Sequence, residues 1–275
     1  MNILVGKSSG FCSGVQRAIN GAEQVMKDNK KIYCFGEIIH NPAVVNSLKQ
    51  QGMDVVNDIS AVPEGSKFII RSHGLEDNIF KKAIEKKLDI YDFTCPLVKN
   101  IHRLVIQLTE EGYFIIITGN AMHPEVKAIA SLAKGNARVI ENLEGVKTLP
   151  AFKQNAVVAQ TTFNPDSFFD IVKEIITRTK KTLVCNTLCE ETIKRQKEAV
   201  HLAENVDLVV VVGGKNSSNT KTLYNIMKNT LQAVHVEDAS ELDRDMFKNI
   251  GNVSFIILQL LIGRINTCLF NDRVF

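Results

Sequence analysis

Residues 95–125 read CPLVKNIHRLVIQLTEEGYFIIITGNAMHPE. A cysteine opens the stretch. From 96 to 110, apolar residues recur at three- and four-residue steps, as in a helix with one buried face. The run that follows, YFIIITG, is short, continuous and β-branched. Such a run reads as a parallel strand covered on both faces. The polar turn Met122-His123-Pro124-Glu125 then leads into another helix. The plan is cysteine, helix, strand, polar turn, helix.

The same plan occurs twice more. Cys12-Ser13-Gly14-Val15-Gln16-Arg17 is followed by a helical stretch, the strand IYCFG and Ile39-His40-Asn41-Pro42. Cys189-Glu190-Glu191-Thr192 is followed by helix 190–204, the strand DLVVVVGG and Asn216-Ser217-Ser218-Asn219. The interval from Cys12 to His40 equals that from Cys95 to His123 and that from Cys189 to Ser217. Self-similarity at a fixed spacing is a property of one chain and marks repeated architecture. A second strand followed by a polar element belongs to each repeat: KFIIRSHG, ending near His73, and AVVAQTT, ending in Thr161-Thr162. Its third copy should be GNVSFIILQLLIG, a strand with no polar turn after it. The expectation is an α/β protein of three similar small units with parallel sheets in pseudo-threefold arrangement: 1–94, 95–188 and 189–275. The third unit is incomplete, with an atypical tail from 254. Polar turns after parallel strands lie at the carboxyl edge of the sheet, where open α/β sheets hold ligands.

Bulk properties narrow the function. With 275 residues, the chain has room for two or three small domains. A net charge of +3 gives no case for a nucleic-acid or membrane surface. The start MNILVGKSSG lacks the features of a signal peptide, and no apolar run reaches membrane-span length. A cytoplasmic location follows as the expectation. Six scattered cysteines in a reducing compartment do not form a disulfide framework.

Three equivalent modules would bring Cys12, Cys95 and Cys189 to a common axis. A helix N-terminus favours thiolate over thiol, and three thiolates at one point need a cation. Two cations remain open on the spacing alone. Structural zinc takes four protein ligands, commonly close in sequence. A [4Fe–4S] cluster held by three cysteines leaves one iron open to substrate. Cys34 lies within a strand and reads as core, Cys185 reads as packing, and Cys268 carries no assigned role.

The turns supply His40, His73, His123, Glu125, Thr161, Thr162, Ser217, Ser218 and Asn219, with Arg71 and Lys215 alongside to add charge. Imidazoles, hydroxyls and helix N-terminal amides make an anion cradle. With no cluster of Lys or Arg, a compact diphosphate fits better than a long polyanion. The plainer reading of these residues is N-capping of the helices that follow. Glu125 is the one carboxylate among them and could deliver protons to a leaving hydroxyl; otherwise it is a first-turn acid facing the helix dipole. Gly6-Lys7-Ser8 and Gly213-Gly214-Lys215 resemble phosphate-loop fragments, but each lacks the rest of that motif.

The stretches GFCSGV, GEIIHNP, RSHG, DFTCPLV, GNAMHPEV, AQTT, NTLCEETIKRQ and VVGGKNSSN together resemble the 4-hydroxy-3-methylbut-2-enyl diphosphate reductase family, in family order from residue 9 to 219. The resemblance implies three α/β units around a central iron–sulfur cluster, a [4Fe–4S] centre on Cys12, Cys95 and Cys189. It implies that His40, His73, His123, Ser217, Ser218 and Asn219 bind the diphosphate, that Thr161 orients the substrate hydroxyl, and that Glu125 relays protons. Electrons would come singly from a ferredoxin or flavodoxin. The allylic hydroxyl would leave as water, giving isopentenyl and dimethylallyl diphosphates. A monomer is expected, without nucleic acid or membrane as a partner.

The resemblance fails after Gly251-Asn252-Val253. There the family continues with a small-residue turn, typically T-A-G-A-S, whose Ser completes the diphosphate site. This chain reads SFIILQLLIGRINTCLFNDRVF instead. A reading-frame shift near codon 254 is the expected cause. The alternative function is therefore a catalytically impaired diphosphate-binding metalloprotein.

Overall fold

The computed structural model of the chain describes residues 1–27, 31–150 and 152–258. Of three successive parts of the chain, each ending just before a cysteine or at the last described residue, the first gives β1 (Asn2–Val5), α1 (Ser13–Met26), β2 (Ile32–Phe35), α2 (Pro42–Gln50), β3 (Met53–Val56), β4 (Lys67–Ile70), α3 (Asp77–Glu85) and β5 (Asp89–Asp92). The second gives α4 (Pro96–Glu110), β6 (Phe114–Thr118), α5 (Pro124–Leu132), β7 (Ala137–Ile140), α6 (Leu143–Lys147), β8 (Asn155–Ala159), α7 (Pro165–Arg178) and β9 (Thr182–Val184). The third gives α8 (Glu190–Ala203), β10 (Leu208–Val212), α9 (Ser218–Lys228), β11 (Gln232–Val236) and β12 (Asn252–Ile257).

These strands form three four-stranded parallel sheets, ordered β3-β2-β4-β5, β7-β6-β8-β9 and β1-β12-β10-β11. Read from its other side, the last order is β11-β10-β12-β1, the same plan as the first two. β1 thus stands where β5 and β9 stand in their sheets. Each cysteine of interest follows one of these three edge strands and precedes a helix.

This arrangement corrects one boundary. The unit expected at 1–94 has a sheet that begins at β2. β1 pairs with β12 instead, from Asn2↔Asn252 to Val5↔Phe255. An apolar run announces a strand but not its partner. β12 has a free edge after pairing with β10, and the N-terminal strand closes it.

The described residues divide into two compact units. One holds Met1–Cys12, His40–Pro42 and the described residues from Glu190 on; the other holds Ser13–Ile39 and Ala43–Cys189. In the first, β10 shows why its sequence is unbroken LVVVV. Leu208, Val210 and Val212 pack on one face with Phe247, Val253 and Phe255, while Val209 and Val211 pack on the other with Ala199, Leu223 and Met227. Burial on both faces removes the need for alternation. In the second unit, Ile115, Ile117, Ala156 and Val158 pack against Ile101, Val105 and Ile129. The β2–β5 sheet meets the β6–β9 sheet through α3 and α5, where the Asp77 amide donates to Ser131 Oγ at 2.9 Å. Among the described residues, no helix is long and apolar enough to cross a membrane.

β12 keeps its register to the end, with Ile257 opposite Val212. The anomalous tail is therefore ordinary strand as far as Ile257. Where the resemblance leads one to expect the small-residue turn, directly after Val253, the chain continues as β12; Cys268 lies outside the described residues. One residue in β12 is ill matched to its place. Ser254 is fully buried opposite Val209, and its hydroxyl has no hydrogen-bond partner among the described residues. A buried hydroxyl without a partner costs about 1–3 kcal/mol. Replacing Ser254 by Ala should therefore leave stability unchanged or raise it by about 1 kcal/mol. A denaturant melt of the variant checks this, and a clear loss of stability would contradict it.

Candidate active site

Each of the three cysteines sits immediately before a helix. Ser13 opens α1, Pro96 opens α4 and Glu190 opens α8. Pro at the first turn of α4 favours helix initiation there, and Glu190 and Glu191 complement the positive end of α8. Cys95 occupies the N-cap position of α4, yet its side chain makes no capping bond. Cys12, Cys95 and Cys189 are outside any disulfide and of intermediate exposure.

Two of these cysteines are pinned by the same backbone bond. The Cys95 amide donates to the Ser72 carbonyl, and the Cys189 amide donates to the Thr161 carbonyl, each at 2.9 Å. Ser72 and Thr161 hold equivalent places, two residues past the ends of β4 and β8. The polar turn after the inner strand thus fixes the cysteine that follows the edge strand.

Thr161 makes a second connection. Its backbone amide donates to one carboxylate oxygen of Glu125 at 2.6 Å, and its hydroxyl donates to the other at 2.8 Å. Glu125 is buried in the first turn of α5. Burial pushes its carboxyl up to about 7, against the lowering effect of the two Thr161 bonds. An acid so poised can hold and release a proton near neutral pH. One residue earlier than Pro124, His123 caps α5 by accepting the Glu125 amide on Nδ1 at 3.2 Å. That bond leaves the ring proton on Nε2, as a donor. The His73 and His123 rings meet edge to face, 5.3 Å between centroids. His73 lies in a turn that needs its neighbour to be glycine: Gly74 has φ +82, and a Cβ there would stand 2.6 Å from His102 Cε1. Burial pushes His102 down to about 4, so it packs as a neutral ring.

In the other unit, the turn after β10 passes close to the backbone of His40. A Cβ at Gly214 would stand 2.3 Å from the His40 carbonyl oxygen. Ser217 caps α9, its Oγ accepting the Thr220 amide at 3.3 Å, and Ser218 and Asn219 form the first turn. The capping reading of this segment is therefore correct as geometry. It also places hydroxyl and amide groups at a helix N-terminus, where anions are favoured. His40, His73, His123, Ser217, Ser218 and Asn219 are of intermediate exposure, although both ring nitrogens of His40 and Nδ1 of His73 are buried.

The two flanking cations differ from expectation. The Lys215 ammonium is tied to Glu241 and does not stand free beside the turn. Arg71 is largely buried, and burial pulls its guanidinium below the ordinary value. The remaining described cysteines pack. Burial pushes the Cys34 thiol up to about 12, and Cys185 lies against the core of the β6–β9 sheet.

Sequence reasoning missed several residues that hold the site. The Gln160 side chain accepts the Asn120 amide at 3.0 Å and bonds Thr162 Oγ1 at 2.9 Å, joining the turns after β6 and β8. It stands inside the quoted AQTT, and its polarity after a strand was the available signal. Ser72 acts through its carbonyl, which no side-chain pattern reveals.

The fold and these groups define a parallel α/β protein with thiols, imidazoles and one buried acid at strand-to-helix turns, a class suited to metal and anion chemistry. The chain belongs to the LytB protein family, whose model matches residues 3–256. It is 38% identical over 256 residues to the 4-hydroxy-3-methylbut-2-enyl diphosphate reductase of Clostridioides difficile (strain 630), covering 92% of each chain. It is 40% identical to the enzyme of that name from Geobacter sp. (strain M21), covering 92% of this chain and 90% of the relative. Among solved structures, it superposes on the E-1-hydroxy-2-methyl-but-2-enyl-4-diphosphate reductase from Plasmodium falciparum with a TM-score of 0.88 at 30% identity, covering 94% of this chain and 83% of that one. A second solved structure, titled (E)-4-hydroxy-3-methyl-but-2-enyl diphosphate reductase, matches with a TM-score of 0.69 at 35% identity, covering 98% of this chain and 99% of that one.

Two outcomes follow from this geometry. Glu125 keeps its proton to about pH 7 in the folded chain, against an ordinary value of 4.5. A raised carboxyl contributes stability that is complete below the ordinary value and is lost as pH rises through the folded value. Melting temperature should therefore fall between pH 4.5 and about 7 by more in the native chain than in Glu125→Gln. Equal slopes would contradict the assignment. Gly214→Ala forces backbone apart at His40, so it should destabilise the chain by about 2 kcal/mol or more in a denaturant melt.

Proposed function

We infer that this chain reductively dehydroxylates (E)-4-hydroxy-3-methylbut-2-enyl diphosphate to isopentenyl and dimethylallyl diphosphate, the last step of the non-mevalonate isoprenoid route. The balance is two electrons and two protons in, one C–O bond broken, and the hydroxyl released as water. The family carries the assignment. The observation within the chain that best supports it is Thr161, which bonds the amide of Cys189 with its carbonyl and the buried acid Glu125 with its amide and hydroxyl.

Cys12, Cys95 and Cys189 are assigned to a [4Fe–4S] cluster. The donor set fits that group: three thiols at helix starts, partly exposed, with no disulfide among the described cysteines. Buried Cys34, by contrast, holds its proton too firmly to serve. When bound, the cluster supplies single electrons and an iron without a protein ligand. His40, His73, His123, Ser217, Ser218 and Asn219 are assigned to the diphosphate. His123 would donate from Nε2 to a phosphate oxygen, and the α9 N-terminus would add amides. Thr161 orients the substrate hydroxyl, and Glu125 carries the proton that leaves with it. A carboxyl titrating at about 7 is protonated often enough to give and weak enough to be recharged. A ferredoxin or flavodoxin is the assigned electron donor, and the chain is assigned as a cytoplasmic monomer.

The test is anaerobic purification of the full chain with iron and sulfide analysis, followed by turnover with a chemically reduced donor. The expected result is a brown protein, absorbing near about 410 nm, that forms both products. Cys12→Ser should lose the colour, whereas Cys34→Ser should keep it. Glu125→Gln should keep the colour and lose turnover by about 100-fold or more. A colourless chain would overturn the cluster. A coloured chain without turnover would favour the impaired metalloprotein that the altered C-terminal sequence suggests.

A further inference from the structure

Helix α8 buries an unusual side chain. Along its inner face, Ala199 and Ala203 are followed toward the N-terminus by Arg195, which is 8% exposed. A buried guanidinium is costly unless it is paired. Among the described residues no carboxylate pairs with Arg195, and its Nε has no partner. Its hydrogen bond is from Nη2 to the Gly10 carbonyl at 2.9 Å. Gly10 has φ +103 and stands two residues before Cys12. One turn further along α8, the Glu198 carboxylate accepts the amides of Lys7 at 2.5 Å and Ser8 at 2.9 Å. The Gly10 amide is itself held by the Ile257 carbonyl at 2.8 Å. The loop from the end of β1 to Cys12 is thus gripped by two charged side chains of one helix.

The other unit repeats the device. Arg17 on α1 donates from Nη1 to the carbonyl of Thr94 at 3.1 Å, and Thr94 is the residue before Cys95. In both cases, an arginine from a helix that starts at one cysteine holds the carbonyl just ahead of another cysteine. The two arginines are not at the same repeat position, Arg17 standing five residues past Cys12 and Arg195 six past Cys189, but each reaches the backbone within two residues of the next cysteine.

We propose that Arg195, with Glu198, is a positioning residue for Cys12 as a cluster ligand, and that Arg17 does the same for Cys95. The buried positive charge of Arg195 faces a loop that ends in a thiolate ligand of an anionic cluster, and this supplies the counter-charge that the protein alone does not. The inference rests on the cluster assignment above, and residues that orient metal ligands commonly set both retention and potential.

Two readouts separate the inference from the reading beneath it. The first is hydrogen exchange on the full chain, with and without iron. In Arg195→Gln, the peptide spanning residues 6–12 should exchange about tenfold faster or more, while β10 and β12 stay unchanged. Glu198→Gln, at a partly exposed site, should do the same for the amides of Lys7 and Ser8. The second is loss of iron to a chelator from the anaerobically loaded protein. This should accelerate about tenfold or more in Arg195→Gln and Arg17→Gln, with partial recovery in Arg195→Lys. If loop exchange and iron loss both match the native chain in Arg195→Gln and Glu198→Gln, the proposal is overturned. If Arg195→Gln fails to fold, shown by fast exchange in β10 and β12, Glu198→Gln and Arg17→Gln decide it. Failure of the cluster reading itself would appear separately, as iron retained in Cys12→Ser.

Discussion

Two backbone hydrogen bonds organise the larger unit: the Cys95 amide to the Ser72 carbonyl and the Cys189 amide to the Thr161 carbonyl. Each bond joins the end of an inner strand to the start of a helix that leaves an edge strand. Neither involves a side chain, so the backbone of each cysteine is fixed without using its sulfur. A ligand thiol must be held in place without its sulfur being consumed, and a backbone anchor achieves this. The helix that follows then supplies a positive end beside the thiol. The repeat in the sheets is what allows the same anchor to be built twice from different sequences, FTCPLV and NTLCEE.

Thr161 extends this constraint from structure to chemistry. The residue whose carbonyl anchors Cys189 also bonds both oxygens of Glu125. Burial alone would push the acid further toward its neutral form, and the two Thr161 bonds oppose that, leaving it poised at about 7. His123 ties the same acid to its helix from the other side, through the Glu125 amide. Acid, threonine, histidine and cysteine amide therefore form one connected set, and a shift of any of them moves the rest.

Much of this was legible in the sequence. The strands at 115–118 and 208–212 stood out because residues buried on both faces need no polar alternation, and apolar residues at three- and four-residue steps marked the helices beginning near 96 and 190. Equal intervals between cysteines and polar turns place Cys12, Cys95, Cys189, His40, His123 and Ser217 in equivalent positions. What escaped was whatever depends on long-range pairing or on the backbone. β1 has four residues, three of them exposed, and nothing local names β12 as its partner. Ser72 works through a carbonyl, and Arg195 lies on a helix whose charge pattern looks like an ordinary solvated face. Lys215 looks in sequence like a cation for the ligand because Glu241, which holds it, is distant along the chain.

The central claim is that three cysteines of one chain hold a four-iron cluster with one iron left open. Mössbauer spectroscopy of the chain loaded anaerobically with ⁵⁷Fe tests it most directly, because irons with and without a thiolate ligand differ in isomer shift. Three thiolate-ligated irons and one open iron should give two populations in a ratio of roughly 3:1, with the minor one shifting when substrate is added. Four equivalent thiolate-ligated irons, or no iron bound at all, would contradict it.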